Sequence, residues 1–135
     1  MIDLKVRAKC LGEWVEGYFC VYRGIPQILV DESSWETIDD IKTVGRYTGL
    51  CDKNGKKIFE GDIVSTKYEL GRGGYYVFEV YYNENLCQFA LTINSGSYTK
   101  NKQYDWLQLT SLKANKVEVI GNKWDNPELL KGGEE

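Results

Sequence analysis

The sequence predicts a single, predominantly β domain, and three observations predict it. Asn54-Gly55 is a strong hairpin signal between the strand-like flanks Arg46–Leu50 and Lys57–Phe59, since a two-residue type I′ turn needs positive φ at both central positions. Gly61 then interrupts the returning strand as a bulge or tight bend would, before Ile63 and Val64 open the next one. Ile2–Lys9 alternates with a strict two-residue period, and Tyr75–Tyr82 is the clearest strand of all. A hairpin, a kink and a third strand make the kind of corner on which small β-barrels are built.

Taken in order, Ile2, Leu4, Val6 and Ala8 alternate with Asp3, Lys5, Arg7 and Lys9, which reads as a half-buried strand broken by Gly12. Trp14–Tyr22 is a second strand, dense in aromatics, with Gly17 a candidate bulge. Arg23-Gly24-Ile25-Pro26 is a turn, and Gln27–Val30 a short third strand that Pro26 keeps from extending backwards. Ser33-Ser34-Trp35-Glu36 fits a capping box. It opens either a short helical turn through Ile38–Ile41 or a loop into Thr43-Val44.

Beyond the central stretch, Ser65–Leu70 leads to Gly71-Arg72-Gly73-Gly74, a glycine-rich hairpin tip or loop. In Tyr75–Tyr82, Tyr76, Phe78, Val80 and Tyr82 share one face, and Tyr75, Val77, Glu79 and Tyr81 the other. Asn83-Glu84-Asn85 turns the chain, and Cys87, Phe89, Leu91 and Ile93 alternate along the returning arm. Asn94–Gln103 is a polar loop. Trp106–Leu112 is a short strand or one helical turn, and Lys116–Ile120 a last strand. Asp125 or Asn126 caps a brief helix with Pro127 at its first position, Leu129 and Leu130 pack back, and residues 131–135 fray.

Length and charge narrow the function classes. A chain of 135 residues is one domain by the usual prior and can bury a core without metal or disulfide. Its formal charge of −3 provides no global field for nucleic acid or anionic lipid. Cys10, Cys20, Cys51 and Cys87 lack zinc-site spacing, and the chain has no histidine. The N-terminus alternates charge with apolar residues where a signal peptide would be continuously apolar, so free, mostly buried thiols in a reducing cytoplasm are expected. No apolar run is long enough to span a bilayer.

Without histidine, Ser-His and Cys-His nucleophile pairs are excluded. Asp39-Asp40 reads as a solvated loop, because sequence neighbours do not face each other. Glu60 and Asp62 could share a face, but satisfying the amides of the bend at Gly61 outweighs metal binding or catalysis. Asp52 stands where a short carboxylate bonds nearby turn amides. Asp52-Lys53-Asn54-Gly55 is too short for a calcium loop, and Ile63 occupies its twelfth position. Cys51 has polar neighbours but no base beside it. No catalytic residue, metal site or cofactor is expected.

The stretch Tyr47-Thr48-Gly49-Leu50-Cys51-Asp52-Lys53-Asn54-Gly55-Lys56-Lys57-Ile58-Phe59-Glu60-Gly61-Asp62-Ile63-Val64 resembles the signature of the YopX family of bacteriophage and prophage proteins. Arg7-Ala8-Lys9 and Gly12–Tyr18 resemble that family's opening, and Val119–Asn122 with Asp125–Leu130 its closing segment. Cys51, Arg46 and Lys123 depart from the pattern, at positions where a polar residue, a glutamine and an apolar residue are common. None of the three is a turn residue. The resemblance implies a mostly β fold with SH3-like barrel character and implies no activity. On it, Tyr47, Thr48, Gly49, Asp52, Asn54, Gly55, Glu60, Gly61 and Asp62 form a structural motif.

The organisation expected is one YopX-like domain over residues 1–135. Residues 1–45 form an N-terminal β part, and residues 46–130 the barrel part, Arg46–Ile93, with its closing segment. The function expected is non-enzymatic: a phage-derived accessory protein in the bacterial cytoplasm that binds a host or phage macromolecule, with homo-oligomers expected. Four tryptophans and ten tyrosines exceed what one small barrel core encloses, and aromatics left outside favour interfaces. Arg72, Tyr75, Tyr81, Lys53 and Lys56 are the candidate binding surface; the alternative is a nucleic-acid-binding small barrel resting on Arg72 and the tyrosine-rich strand, with Lys53, Lys56, Lys57, Lys100 and Lys102 as basic residues. Half of the tyrosines on that strand must face the core, and turn lysines serve solubility and edge protection, so this reading ranks second.

Overall fold

The computed structural model describes residues 4–66, 76–96, 106–110 and 114–130. The chain is mainly β and forms two compact units, Met1–Gly49 and Leu50–Glu135. The sequence-based expectations for the Gly71–Gly74 tip, Arg72, Tyr75, most of the Asn94–Gln103 loop, Leu112 and the 131–135 tail lie outside the described residues.

In the first unit, β1 (Val6–Cys10), β2 (Glu13–Tyr22), β3 (Ile25–Asp31), β4 (Ser34–Thr37) and β5 (Asp40–Cys51) make an antiparallel sheet in the order β4-β3-β2-β1-β5. β1 starts at Val6, and Leu4 before it is exposed; the Ile2-Asp3 start of the expected strand lies outside the described residues. Alternation measures face, not pairing: among the described residues β2 supplies partners from Val6↔Gly17 to Cys10↔Glu13. Gly17 is therefore no bulge. It pairs in register, and its glycine is needed because a Cβ there would lie 2.3 Å from the Leu29 carbonyl oxygen. The connections are tight. Leu11-Gly12 and Arg23-Gly24 both have positive φ and join directly paired residues, Cys10↔Glu13 and Tyr22↔Ile25, so the type I′ hairpins of this chain lie here.

Pro26 lies inside β3, opposite Val21, where the sequence suggests a barrier. One residue past the hairpin-closing pair, its nitrogen points away from β2, so that pairing loses no hydrogen bond. The expected capping box is also overturned. Ser34–Thr37 is a fully exposed strand paired with β3, and the polar residues before it form a turn in which Asp31 accepts the Ser33 amide at 2.9 Å. Residues 40–41, expected in a helical turn or loop, already belong to β5.

The core of this unit is small: Val6, Ala8, Cys10, Ile28 and Ile38, flanked by Val15 and Val44. In the β1–β5 ladder the register shifts between Arg7 and Lys9. Thr43 repairs the gap. Its buried hydroxyl accepts the Lys9 amide at 2.9 Å and donates to the Asp40 carbonyl at 2.7 Å. Thr43→Val keeps the shape and removes both bonds, so a loss of about 2 kcal/mol is expected by denaturant titration. A change below about 0.5 kcal/mol would show the ladder needs no such repair.

The second unit is built on a five-stranded antiparallel sheet, β10-β9-β8-β7-β11. Its strands are β7 (Asp62–Ser65), β8 (Tyr76–Asn83), β9 (Gln88–Gly96), β10 (Trp106–Gln108) and β11 (Glu118–Asn122). The short β6 (Lys57–Phe59) pairs with β5 across the Asn54-Gly55 hairpin. The expected barrel is not closed: β10 and β11 end the sheet without pairing to each other. Ile58, Val64, Phe78, Val80, Leu91, Leu109, Ala114, Val117 and Val119 form its core, with Leu50, Tyr76 and Phe89 against them. The face read from sequence for Tyr76, Phe78 and Val80 is the one that packs inward.

Three details depart from expectation. The last strand is Glu118–Asn122, two residues later than read. Cys87 is not a strand residue: it sits in the β8–β9 turn at φ 52, exposed, while Asn83 Oδ1 accepts the Asn85 and Leu86 amides. Of the four free cysteines only Cys10 is buried, so the thiols are not mostly buried. The closing helix is present as one 3-10 turn, Pro127–Leu130, with Asn126 before it; the turn lies against β8 and β9, and its Leu129 and Leu130 are half-buried.

Candidate interaction surface

The signature residues of the second unit make a scaffold. Gly55 donates to the Asp52 carbonyl at 3.0 Å, and the Asp52 amide donates to the Lys56 carbonyl at 2.8 Å. Gly55 has φ 84, whereas Asn54 is not among the positive-φ residues. The hairpin is therefore a type I turn closed by a glycine bulge, not the type I′ turn its dipeptide suggests. The reason is Asp52. Its buried carboxylate accepts the Asn54 and Lys56 amides on Oδ1, each at 2.9 Å, which holds a wider loop than two residues allow. The other oxygen, Oδ2, accepts the amide of Val119, 67 residues away, at 2.9 Å. Lys53 donates its own amide to the Val117 carbonyl, so the turn is stapled to the β11 segment twice.

The bend at Gly61 is a second staple. Gly61 has φ 89, donates to the Val80 carbonyl at 2.8 Å and accepts the Lys123 amide at 2.9 Å. The Trp124 ring lies where a Cβ on Gly61 would be, at 2.3 Å. Buried Asp62 accepts the Phe59 amide at 2.8 Å, the structural role read for it from sequence. Lys123, one of the departures from the resemblance, forms an ion pair with Glu79 at 3.5 Å and lies over the Trp124 ring. The Asn122 Oδ1 accepts the Trp124 and Asp125 amides and holds that turn in place.

The remaining sequence candidates do not converge on a reactive centre. Glu60 and Cys51 are half-buried, Lys53 is half-buried and Lys56 exposed beside the turn, and Tyr81 is a half-buried residue of β8. In the first unit, Tyr47 donates its amide to the Lys5 carbonyl at 2.9 Å, Thr48 is half-buried, and Gly49 takes φ 86 within β5. Asp39 accepts the Leu11 amide at 2.9 Å and Asp40 the Lys42 amide at 3.2 Å, each serving backbone. Burial raises the Cys10 thiol above its ordinary value, helped by the charges of Glu36 and Asp39, which makes it a poorer nucleophile. Among the described residues no cluster of acidic and cysteine side chains could hold a metal ion, and no helix is long and apolar enough to cross a membrane.

What the fold does assemble is an uncovered apolar sheet face. Directly paired residues share a face, so Tyr18↔Leu29↔Trp35 form a row across β2, β3 and β4, with Tyr22↔Ile25 beside it. Tyr22 and Trp35 stack with ring centroids 6.3 Å apart and planes 21° from parallel, and Arg23 lies over Tyr22 at 5.3 Å. Tyr18, Tyr22, Ile25 and Trp35 are all exposed, and Trp35 keeps 58% of its surface open. Phe19, Val21 and Val30, which alternate onto the opposite face, are exposed too. Gln27 is buried within this region with its Oε1 accepting no hydrogen bond.

Sequence reasoning counts a surplus of aromatics without locating it. A usable signal is present: from Gly17 to Val30 the chain carries one charge, Arg23, and apolar residues occupy both parities of β2. A strand covered on one face only would alternate with polar residues. Further along β2, Arg7 and Lys9 lie over the Trp14 ring at 4.7 and 5.4 Å.

The family model described as YopX protein matches residues 19–131. No curated protein matches the chain.

Proposed function

This chain belongs to the YopX family, and on that premise we propose that it is a non-enzymatic, phage-derived accessory protein that acts in the bacterial cytoplasm by binding a macromolecule through the aromatic face of β2, β3 and β4. One observation carries the reading: Tyr18, Tyr22, Ile25 and Trp35 lie exposed together on one face of that small sheet. Exposed apolar patches of this kind mark interaction sites, and aromatics beside an arginine match the composition of protein interfaces. The signature stretch serves as the frame, since the Asp52 and Asp62 carboxylates are engaged by backbone amides.

Affinity capture from phage-infected cells tests this. Wild-type protein is expected to retain a partner, and Tyr22→Ser with Trp35→Ser to lose it with the fold intact by circular dichroism. Equal recovery of every partner by both proteins would overturn the assignment of this face.

A second reading, single-stranded nucleic acid, is favoured by one feature, the two cations over Trp14. It ranks lower because residues 13–37 hold Glu13, Glu16, Asp31, Glu32 and Glu36 against Arg23 alone, and phosphates would meet a net negative field there. Salt-sensitive retention of an oligonucleotide is its requirement.

A further inference from the structure

We infer that the occupant of this face is a second copy of the same chain, packed across it in antiparallel, two-fold fashion; this rests on the interaction surface proposed above. The four large apolar side chains on this face, Tyr18, Tyr22, Ile25 and Trp35, are each 47–58% exposed. Together they offer roughly 450 Å² per copy, over half of the roughly 800 Å² that each partner gives to a standard interface.

Charge complementarity favours the same occupant. The hairpin is a polar rod. Arg23 stands at its tip, in the two-residue turn, and the Asp31-Glu32 carboxylates stand in the β3–β4 turn at its base. Nothing charged lies between them on Gly17–Val30. Tip and base are separated by the length of β3, about 20 Å, too far for them to pair within one copy. Two hairpins side by side in the same direction would bring like charges together. Laid antiparallel about a two-fold axis, each Arg23 meets the partner's Glu32, and both pairs form at once. The hydrogen bond from the Ser33 amide lowers the Asp31 carboxyl below its usual value and keeps that end of the rod negative.

Charge reversal in trans is the test. By sedimentation velocity the wild-type chain is expected to dimerise. Arg23→Glu and Glu32→Lys, each alone, place two repulsive pairs in the homodimer and are expected to weaken it at least about tenfold. In an equimolar mixture, a dimer with one copy of each variant has opposite charges at both contacts again, one of them with its signs exchanged. The mixture is expected to restore a mixed dimer of near wild-type affinity. Tyr22→Ser should weaken the dimer without such rescue. A wild-type chain that stays monomeric at about 100 µM, a dimer indifferent to these changes, or variants that fail to complement each other would each overturn the inference. A monomer whose partner capture still depends on Tyr22 and Trp35 would leave the binding face standing and remove only the second copy.

Discussion

Asp52→Ala is expected to destabilise the second unit by about 3 kcal/mol, measured by denaturant or thermal unfolding. The side chain is 4% exposed, and its two oxygens take three backbone amides, from Asn54, Lys56 and Val119. Alanine leaves all three without that acceptor. Water can reach the first two at the turn, but the bond to Val119 is buried, and an unsatisfied buried donor costs about 1–3 kcal/mol by itself. Asp52→Asn separates the contributions. An amide keeps one acceptor oxygen and presents a donor on the other side, so it can serve either the turn or β11 but not both. Its loss should fall between zero and that of alanine. If the two variants are equally stable and within about 0.5 kcal/mol of wild type, the carboxylate is not what joins the hairpin to β11.

Gly61→Ala should cost a similar amount for a different reason. At φ 89 a side chain is strained whatever the space around it, by about 1–3 kcal/mol. The added methyl would also fall 2.3 and 2.4 Å from two atoms of the Trp124 ring, so the ring must move off the bend. Removing the ring as well, in Gly61→Ala with Trp124→Ala, relieves the clash but not the strain. The double variant should therefore lose less than the sum of the singles, by about 1 kcal/mol or more in a double-mutant cycle. Strict additivity would mean the ring and the bend do not touch in solution.

These two positions also show how far the fold is legible. Asp52 and Gly61 stand out in the sequence because turn chemistry is local: a carboxylate two residues before Asn54 and a glycine in the middle of a strand pattern each have few explanations. The same local logic misassigns Asn54-Gly55 to a type I′ turn, because the Asp52 carboxylate favours a wider loop. It passes over the true type I′ turns at Leu11-Gly12 and Arg23-Gly24, whose first residues carry large side chains at positive φ. The capping-box pattern at Ser33–Glu36 fails because β3 offers Ser34–Thr37 a ladder, and pairing overrides a helix-start signal of a few tenths to about 1 kcal/mol.

The candidate surface is less legible than the scaffold. Composition announces too many aromatics for one small core, but the residues that strand alternation singles out, Tyr75 and Tyr81 with Arg72, lie on or before β8. Tyr81 is half-buried there, while the exposed stack forms on β2 and β4. Alternation sorts residues onto two faces of a strand; it does not say which face another layer will cover.

The β class, the family, the corner from Tyr47 to Val64 and the short closing turn at Pro127 can all be read without coordinates, because each is written in neighbouring residues. Four features cannot: that Asp52 reaches Val119, that Trp124 occupies the space a glycine leaves at position 61, that the sheet of the second unit stays open, and that Tyr18, Tyr22 and Trp35 remain uncovered. These depend on which strands meet across tens of residues, and burial arises from that meeting, not from any residue's own preference.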